Sequence, residues 1–310
     1  VFSVDGRPFS IVGFRSTAET ITAQFDPNLS ATEFVLKPQA DMEKLQRHMR
    51  GQISIDLTHP ECKNLRILYD VLNRRQDTFC ERFFAPWTDM EAQMRREGLP
   101  LFSLETRTPL AEFDLAGFTL QHELSYTNVL NMLDLGGVPL RAGDRREGDP
   151  LIIAGGPCAF NPAPMAPFFD AVVIGEGEEV VVEIARAVRE GKEKGGDRRK
   201  ILTMLSELEG VYVPALRGSE ARIRKRIVTD LDAWRIPLKP LVPLMNTIHD
   251  RATLEIARGC TRGCRFCQAG MVWRPVRERS PSVLRVMAEE MLCATGYDEI
   301  SLLSLSTGDY

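Results

Sequence analysis

Three cysteines near the end of the sequence have the spacing of a metal-binding loop. Cys260, Cys264 and Cys267 follow a short apolar run, at intervals of four and three residues. Iron–sulfur clusters and structural zinc sites both take thiolate ligands from proteins. A cluster of four irons normally takes four thiolates, so three would leave one iron open to a small chelating ligand. The run therefore predicts an iron–sulfur loop, with a structural zinc site as the alternative.

The sequence around the cysteines favours the iron–sulfur interpretation. A structural zinc site would need a fourth ligand in register, and the nearby candidate, Cys293, lies on a predicted helix. Arg262 adds positive charge beside an anionic cluster, which helps to hold thiolates deprotonated. The loop can wrap a cluster because glycine accepts backbone angles that other residues avoid, and three glycines flank the cysteines: Gly259, Gly263 and Gly270.

Composition limits the class of protein. The 310 residues are enough for about two domains, and 44% hydrophobic with 26% charged residues is typical of a soluble globular protein. A net charge of −4 and 7% aromatic residues give no indication of nucleic-acid binding. No apolar run is long enough to suggest a membrane partner, and clustered cysteines favour a reducing, cytoplasmic location. Because the sequence opens at Val1 and stops just after a predicted strand, we expect an N-terminal part of a longer protein.

Strands and helices alternate along most of the sequence, which predicts an α/β fold with a parallel sheet. The predicted strands are 53–57, 79–84, 115–120, 151–154 and 171–174, and the predicted helices are 64–73, 89–96, 125–135 and 178–190. A charged stretch, 191–199, is expected to end the last helix. Before this region, the sequence suggests a hairpin within 2–14 and a helix at 41–50.

A proline-bearing linker separates this region from a second alternation. Pro237, Pro240 and Pro243 stiffen an extended path. Beyond them, a strand at 253–257, a helix beginning at Pro281 and a strand at 299–305 form one β–loop–α–β unit. Ser280 precedes Pro281, a favourable pairing of N-cap and first-turn residue.

Glycines follow two of the predicted buried strands. In an open α/β sheet, loops at the carboxyl ends of the strands form the ligand crevice. Glycine there would let the backbone approach a macrocycle or a nucleotide, although a tight turn needs glycine equally. The candidate cofactor-binding residues in these loops are Gly155, Gly156, Gly175, Glu176 and Gly177.

Arg274, Arg277 and Arg279 lie just beyond the cysteine run. Arginine can bind a carboxylate or a phosphate through two parallel hydrogen bonds. A solvated basic loop or a salt bridge in a lid is the alternative that we favour.

The cysteine run resembles the signature of the radical S-adenosylmethionine superfamily. The resemblance rests on the pattern Cys-x3-Cys-x2-Cys, with the aromatic Phe266 just before the third cysteine. It implies a [4Fe-4S] cluster held by the three cysteines, with S-adenosylmethionine on the open iron. Phe266 then becomes a candidate cofactor-binding residue.

The same resemblance points to the strand that follows. In that superfamily the strand usually ends in a Gly-Gly-Glu-like motif, which contacts the amino group of S-adenosylmethionine. The matching position here reads Ser304-Leu-Ser-Thr-Gly-Asp309, a departure from that motif. The candidates for this contact are Thr307, Gly308 and Asp309.

The segments 151–158 and 170–178 resemble the N-terminal domain of radical enzymes that carry a cobalamin-binding-like region. Together with 262–271 and 274–280, they resemble an uncharacterised bacterial subfamily of such proteins. The implied architecture is a Rossmann-like, cobalamin-binding-like domain, then the first β-α-β unit of a partial TIM barrel. We expect a poorly matched segment at 1–49, the domain at 50–215, a linker at 216–248 and the truncated radical core at 249–310. Asp56-Leu-Thr-His59 lacks the spacing of the Asp-x-His-x-x-Gly motif, so the domain would either bind cobalamin without a histidine ligand or lack it.

The resemblance also implies a reaction. A reduced cluster passes one electron to S-adenosylmethionine, which splits into methionine and a 5′-deoxyadenosyl radical that abstracts hydrogen from an unknown substrate. A methylation or another modification would follow, with flavodoxin or ferredoxin as the electron donor. Since a complete barrel needs further strands, residues 1–310 alone would be incomplete as an enzyme. A zinc-stapled binding module and a cobalamin-domain carrier or sensor are the alternatives.

Overall fold

A computed structural model describes residues 2–4, 7–17, 20–26, 52–56, 63–218, 221–234, 237–238, 242 and 251–310, with side chains from residue 67 onwards. The chain divides into two compact units, Val1–His48 and Met49–Tyr310. In the first unit, strands β1 (Phe2–Val4), β2 (Arg7–Thr17) and β3 (Thr20–Asp26) form an antiparallel sheet in that order. The hairpin expected near the start of the chain is confirmed. The helix expected at 41–50 and the residue His59 lie outside the described residues.

A six-stranded sheet dominates the described part of the second unit. Its spatial order is β5-β4-β6-β7-β8-β9, and neighbouring strands are parallel except for the antiparallel pair β8 and β9. The prediction of a mixed α/β fold with a parallel sheet is confirmed. The strands are β4 (Gln52–Asp56), β5 (Phe79–Phe83), β6 (Leu115–Thr119), β7 (Leu151–Gly155), β8 (Ala171–Val173) and β9 (Val211–Tyr212).

Helices cover both faces of this sheet. One face packs on α1 (Lys63–Asn73), α4 (Gly177–Glu193) and α5 (Arg198–Ser206), and the core of the other face includes α2 (Thr88–Glu97) and α3 (Tyr126–Leu135). Successive residues of a strand point to opposite faces, and β7 is apolar on both. Leu151 and Ile153 accordingly join the first core, and Ile152 and Ala154 join the second.

The charged stretch 191–199 was expected to end helix α4, and α4 does end within it, although a further helix also begins there. Helix α4 continues to Glu193, and α5 begins at Arg198. The physical reason is an N-cap, since the carboxylate of Asp197 accepts a hydrogen bond from the backbone N–H of Lys200 at 2.8 Å. Ile201, Leu202 and Leu205 then bury the apolar face of α5 in the core.

The last part of the chain forms the predicted β–loop–α–β unit. Strands β10 (Ala252–Glu255) and β13 (Ile300–Leu303) pair in parallel, and the short strands β11 (Ala257–Arg258) and β12 (Arg277–Glu278) pair antiparallel. Between them lie α6 (Ala269–Val272) and α7 (Pro281–Thr295). Ser280 caps α7 by accepting a hydrogen bond from the N–H of Val283 at 3.4 Å.

Across the described ranges of the chain, no helix has both the length and the apolar character that crossing a membrane requires.

Candidate functional site

A pocket of about 310 Å³ lies at the carboxyl ends of β6, β7 and β8. Residues from β10, β11 and the end of β13 close it on the other side, so the pocket lies between the sheet and the last β–α–β unit. The candidate residues at the carboxyl ends of β7 and β8 all line it, namely Gly155, Gly156, Gly175, Glu176 and Gly177. Parallel strands present their carboxyl ends at one edge, which is why these loops meet here.

Gly175 is needed for close packing against another segment of the chain. Its φ is +121°, and a Cβ atom on it would lie 2.2 Å from the carbonyl oxygen of Arg226. Arg226 crosses the end of β8, where its N–H donates to the carbonyl of Ile174 at 2.9 Å. Glu176 donates its own N–H to the Arg226 carbonyl at 3.1 Å. A glycine at position 175 therefore serves this crossing in addition to lining the pocket.

A buried ion-pair network joins the sheet to the strand before the cysteines. Arg258, whose side chain is 8% exposed, contacts Glu178 at 2.5 Å, Glu255 at 2.8 Å and Glu176 at 3.6 Å. Burial lowers the pKa of Arg258, but Glu255 and Glu178 outweigh this effect and leave the pKa above its ordinary value. The guanidinium is therefore held charged within this network.

Two of the three arginines beyond the cysteines belong to the same network. Arg277 donates to Glu176 at 2.6 Å and to the carbonyl of Val228 at 2.7 Å. Arg279 is 1% exposed and donates from Nε to the carbonyl of Glu255 at 3.1 Å. Arg277 and Arg279 therefore form salt bridges within the chain and are not part of a solvated basic loop. Arg274 is exposed.

The three cysteines lie on the loop between β11 and α6. Cys264 is exposed, Cys260 and Cys267 are half-buried, and the N–H of Cys267 donates to the carbonyl of Cys264 at 3.0 Å. Gly259 begins the loop with a φ of +86°, and a Cβ atom there would lie 2.5 Å from the carbonyl oxygen of Pro275. Among the described residues, no group of three or more Cys, His, Asp or Glu side chains is arranged to hold a metal ion.

The donor chemistry of the loop nevertheless fits an iron–sulfur cluster. Three thiols fall within eight residues, and neither a carboxylate nor a histidine lies between them. The backbone N–H of Arg262 points to the sulfur of Cys260 at 3.4 Å, a contact of the kind that stabilises thiolate charge. Phe266 is 92% exposed on the same loop.

The candidate residues after β13 contact the cysteine loop. Thr307, Gly308 and Asp309 form a short 3-10 turn, and Asp309 accepts a hydrogen bond from Nε of Arg262 at 2.8 Å. Ser306 donates a second hydrogen bond to Asp309 at 2.7 Å. The bond from Arg262, followed by that from Ser306, lowers the pKa of Asp309. The structure thus brings Asp309 to the cysteine loop and keeps it ionised.

Sequence reasoning missed the ion-pair network around Arg258. Glu178 and Arg258 lie far apart in the sequence, and no local pattern relates them. An available signal was the alternation in Gly-Glu-Gly-Glu178, which places two acids at the end of a buried strand. Buried carboxylates need positively charged partners, so this run indicates that arginine or lysine side chains from elsewhere in the chain pair with it.

The fold and the loop define a mixed α/β protein with a three-cysteine loop at the carboxyl edge of its sheets. Residues 64–214 match a family model described as radical SAM proteins, N-terminal, where SAM is S-adenosylmethionine. The match runs from α1 to just beyond β9 and ends before the cysteines.

Two relatives align with parts of the chain. An uncharacterised protein of Methanocaldococcus jannaschii is 29% identical over 216 residues, which are 68% of this chain and 42% of the relative. The anaerobic magnesium-protoporphyrin IX monomethyl ester cyclase of Cereibacter sphaeroides is 27% identical over 121 residues, 37% of this chain and 18% of that protein. The chain therefore spans less than half the length of either relative. Together with the family match, these findings support the assignment of the chain to the radical SAM superfamily.

Proposed function

We propose that this chain is part of a radical S-adenosylmethionine enzyme, in which Cys260, Cys264 and Cys267 hold a [4Fe-4S] cluster. The observation that carries the proposal is the contact between Arg262 of the cysteine loop and Asp309 of the turn after β13. The two segments with the predicted cofactor roles are thereby neighbours. The family match and the donor chemistry of the loop support the same function.

Cys260, Cys264 and Cys267 would hold the cluster, which would supply the one-electron reduction of S-adenosylmethionine needed to remove a hydrogen atom from the substrate. Asp309, Thr307 and Gly308 offer oxygen atoms and backbone groups to the ammonium group of the cofactor. A carboxylate has about four lone-pair positions for hydrogen bonds. Asp309 can therefore accept a hydrogen bond from an ammonium group while it also accepts from Arg262. The exposed ring of Phe266 offers a further apolar contact.

We propose a Rossmann-like arrangement for the sheet and the start of a partial TIM barrel for the last unit. The strands β5-β4-β6-β7-β8 lie side by side in that order. If these five strands are renumbered 1 to 5 along the chain, their spatial order is 2-1-3-4-5, which is the flavodoxin-like doubly wound order. The parallel pair β10 and β13, with α7 between them, has the connectivity of one barrel repeat. The proposed domain limits remain 1–49, 50–215, 216–248 and 249–310. Cobalamin is not supported and is left out of the proposal.

The proposed partners are S-adenosylmethionine, an electron donor such as flavodoxin or ferredoxin, and an organic substrate that loses a hydrogen atom. Exposed and half-buried thiols on the cysteine loop need reducing conditions, which supports a cytoplasmic location. The named relative acts, by its name, on magnesium-protoporphyrin IX monomethyl ester. We propose radical chemistry for this chain, and we do not propose that substrate for it.

Uncoupled cleavage of the cofactor tests the proposal. The chain, reconstituted anaerobically with iron and sulfide and then reduced, should convert S-adenosylmethionine to 5′-deoxyadenosine and methionine in equal amounts. Cys264→Ala should abolish the product, and Cys293→Ala, an exposed cysteine on α7, should leave it unchanged. Stoichiometric zinc without formation of 5′-deoxyadenosine would contradict the proposal and would favour a zinc-stapled module.

A further inference from the structure

The pocket between the sheet and the last β–α–β unit has an apolar interior on one side. Successive strand residues face opposite ways, so Ile153 of β7 points to the same side as position 155. That side is the face on which α1 and α4 pack, and both helices contribute to the pocket wall. Leu68, Val173, Val181 and Ile184 line this part of it.

The charges around the pocket are already compensated. The three acids that line it, Glu176, Glu178 and Glu255, all lie within ion-pair distance of Arg258. Arg277 also pairs with Glu176, and Arg279 with Glu255, so three guanidinium groups balance the three carboxylates. A charged ligand would therefore enter without a counter-charge, which is costly in a largely apolar cavity. Thr119 and Gln121 add neutral hydrogen-bonding groups, joined to one another at 2.6 Å.

The volume limits the size of the occupant. A cavity of about 150 Å³ holds one benzene ring. The pocket of about 310 Å³ therefore has room for a group of roughly two rings, at the small end of ligand pockets. A whole tetrapyrrole macrocycle, with its four linked rings, would not fit inside.

The pocket also adjoins both segments of the proposed cofactor site. Gly259, which precedes the first cysteine of the loop, is part of its wall. So are Ser304 and Leu305, just before the turn that contains Asp309. A molecule in the pocket would thus lie beside the place where the radical is generated.

We infer that this pocket holds the reacting part of the substrate, and that this part is a small, uncharged, largely apolar group of about two rings. Its role as a substrate site rests on the proposed function. The existence of a binding site for neutral two-ring molecules does not depend on the proposed function.

Position 155 allows a sharp test. The φ of Gly155 is not in the left-handed region, and a Cβ atom there would have no heavy atom closer than 3.9 Å. Gly155→Leu therefore fills the pocket from the sheet without a backbone clash, and Ser304→Leu enters it from the opposite wall. Gly148→Leu is the matched control, because position 148 is exposed and a Cβ atom there meets nothing within 4 Å.

Fluorine NMR with 5-fluoroindole measures binding to the metal-free chain, with 5-fluoroindole-2-carboxylate as the charged comparison. We expect a Kd for 5-fluoroindole of about 1 mM or tighter. The carboxylate should bind at least about tenfold more weakly, as expected for an uncompensated charge in such a site. Gly155→Leu and Ser304→Leu should each raise the Kd of the neutral probe about tenfold or more by removing cavity volume, and Gly148→Leu should not change it.

Circular dichroism and thermal melting identify which variants are folded. Absence of binding by the wild-type chain, equal or tighter binding of the carboxylate, or an unchanged Kd in the folded pocket variants would overturn the inference. Because the probe experiment needs no iron, it is independent of the proposed function. If the probe binds but the cofactor is not cleaved, the proposed radical function and the substrate role of the pocket are both refuted. If the cofactor is cleaved but the probe does not bind, only the assignment of the pocket is refuted.

Discussion

Arg262 and Asp309 tie the cysteine loop to the turn that follows β13. Nε of Arg262 donates to one carboxylate oxygen at 2.8 Å, and a second contact joins the same guanidinium to the other oxygen. Such two-point pairing fixes the relative orientation of the planar groups. Forty-seven residues separate the two positions, so the contact depends on the parallel pairing of β10 with β13.

Removing the charge of Asp309 should weaken cofactor binding without loss of the cluster. In Asp309→Asn, the side chain keeps its shape but loses the charge that would attract an ammonium group. We expect roughly a tenfold rise in the Kd for S-adenosylmethionine, measured by equilibrium dialysis on reconstituted protein, with iron content unchanged. Asp298→Asn, an exposed change before β13, is the control and should bind normally. A loss of iron in Asp309→Asn would instead make Asp309 a determinant of the cluster.

Removing Arg258 should destabilise the fold. Arg258→Met leaves Glu178, Glu255 and Glu176 buried or half-buried without their shared partner. Breaking a buried pair in this way costs about 3–5 kcal/mol of unfolding free energy. Urea unfolding of the metal-free protein measures it, and Arg285→Met, which removes an exposed arginine from α7, should change the value by about 0.5 kcal/mol or less. Equal effects of the two changes would refute a structural role for the network.

A side chain at position 175 should also be costly. In Gly175→Ala, the new methyl group would lie 2.2 Å from the carbonyl oxygen of Arg226, in a backbone conformation that alanine rarely adopts. Steric overlap and backbone strain together predict a loss of about 3 kcal/mol in unfolding free energy. Gly148→Ala, at an open position without a positive φ, should leave stability nearly unchanged in the same urea titration. A stable Gly175→Ala would mean that Arg226 can move away from the end of β8.

Glu81 should make stability depend on pH. This residue is fully buried on β5, where burial raises its pKa despite hydrogen bonds from Ser103 and Thr106. A carboxyl group with a raised pKa binds its proton more tightly in the folded state, so its contribution to stability is largest at low pH. That contribution falls as pH rises from the ordinary value of 4.5 through the folded value.

The corresponding variant, Glu81→Gln, stays neutral at every pH. Relative to wild type, it should gain unfolding free energy between pH 5 and pH 7, measured by urea titration at both values. Glu97→Gln, an exposed change at the end of α2, should show no such gain. A pH-independent difference between Glu81→Gln and wild type would show that Glu81 is charged throughout.

Local patterns predicted most of the regular elements. The apolar runs at Leu151 and Ala171 have the pattern of strands buried on both faces, and they form β7 and β8. The pair Ser280 and Pro281 located the start of α7 because N-cap chemistry is local. Such signals depend on near neighbours, and a single sequence contains them.

Local sequence patterns could not predict the contacts between residues far apart in the chain. Strand β9 has two residues, too few for a periodicity, and its antiparallel pairing depends on the path of the chain. The partner of Arg258 is chosen by how the sheet packs on β10, which no local spacing encodes. Short helix α6 was also missed, since four residues fit a loop equally well.

Electron paramagnetic resonance of the anaerobically reconstituted and reduced chain, with and without S-adenosylmethionine, together with an iron count, tests most directly whether Cys260, Cys264 and Cys267 hold the cluster. A radical S-adenosylmethionine site on this loop predicts about four irons per chain and a reduced-cluster signal that shifts when the cofactor is added. Both should be lost in Cys264→Ala but not in Cys293→Ala. Stoichiometric zinc without a paramagnetic signal, or a cluster signal that ignores the cofactor, would contradict it.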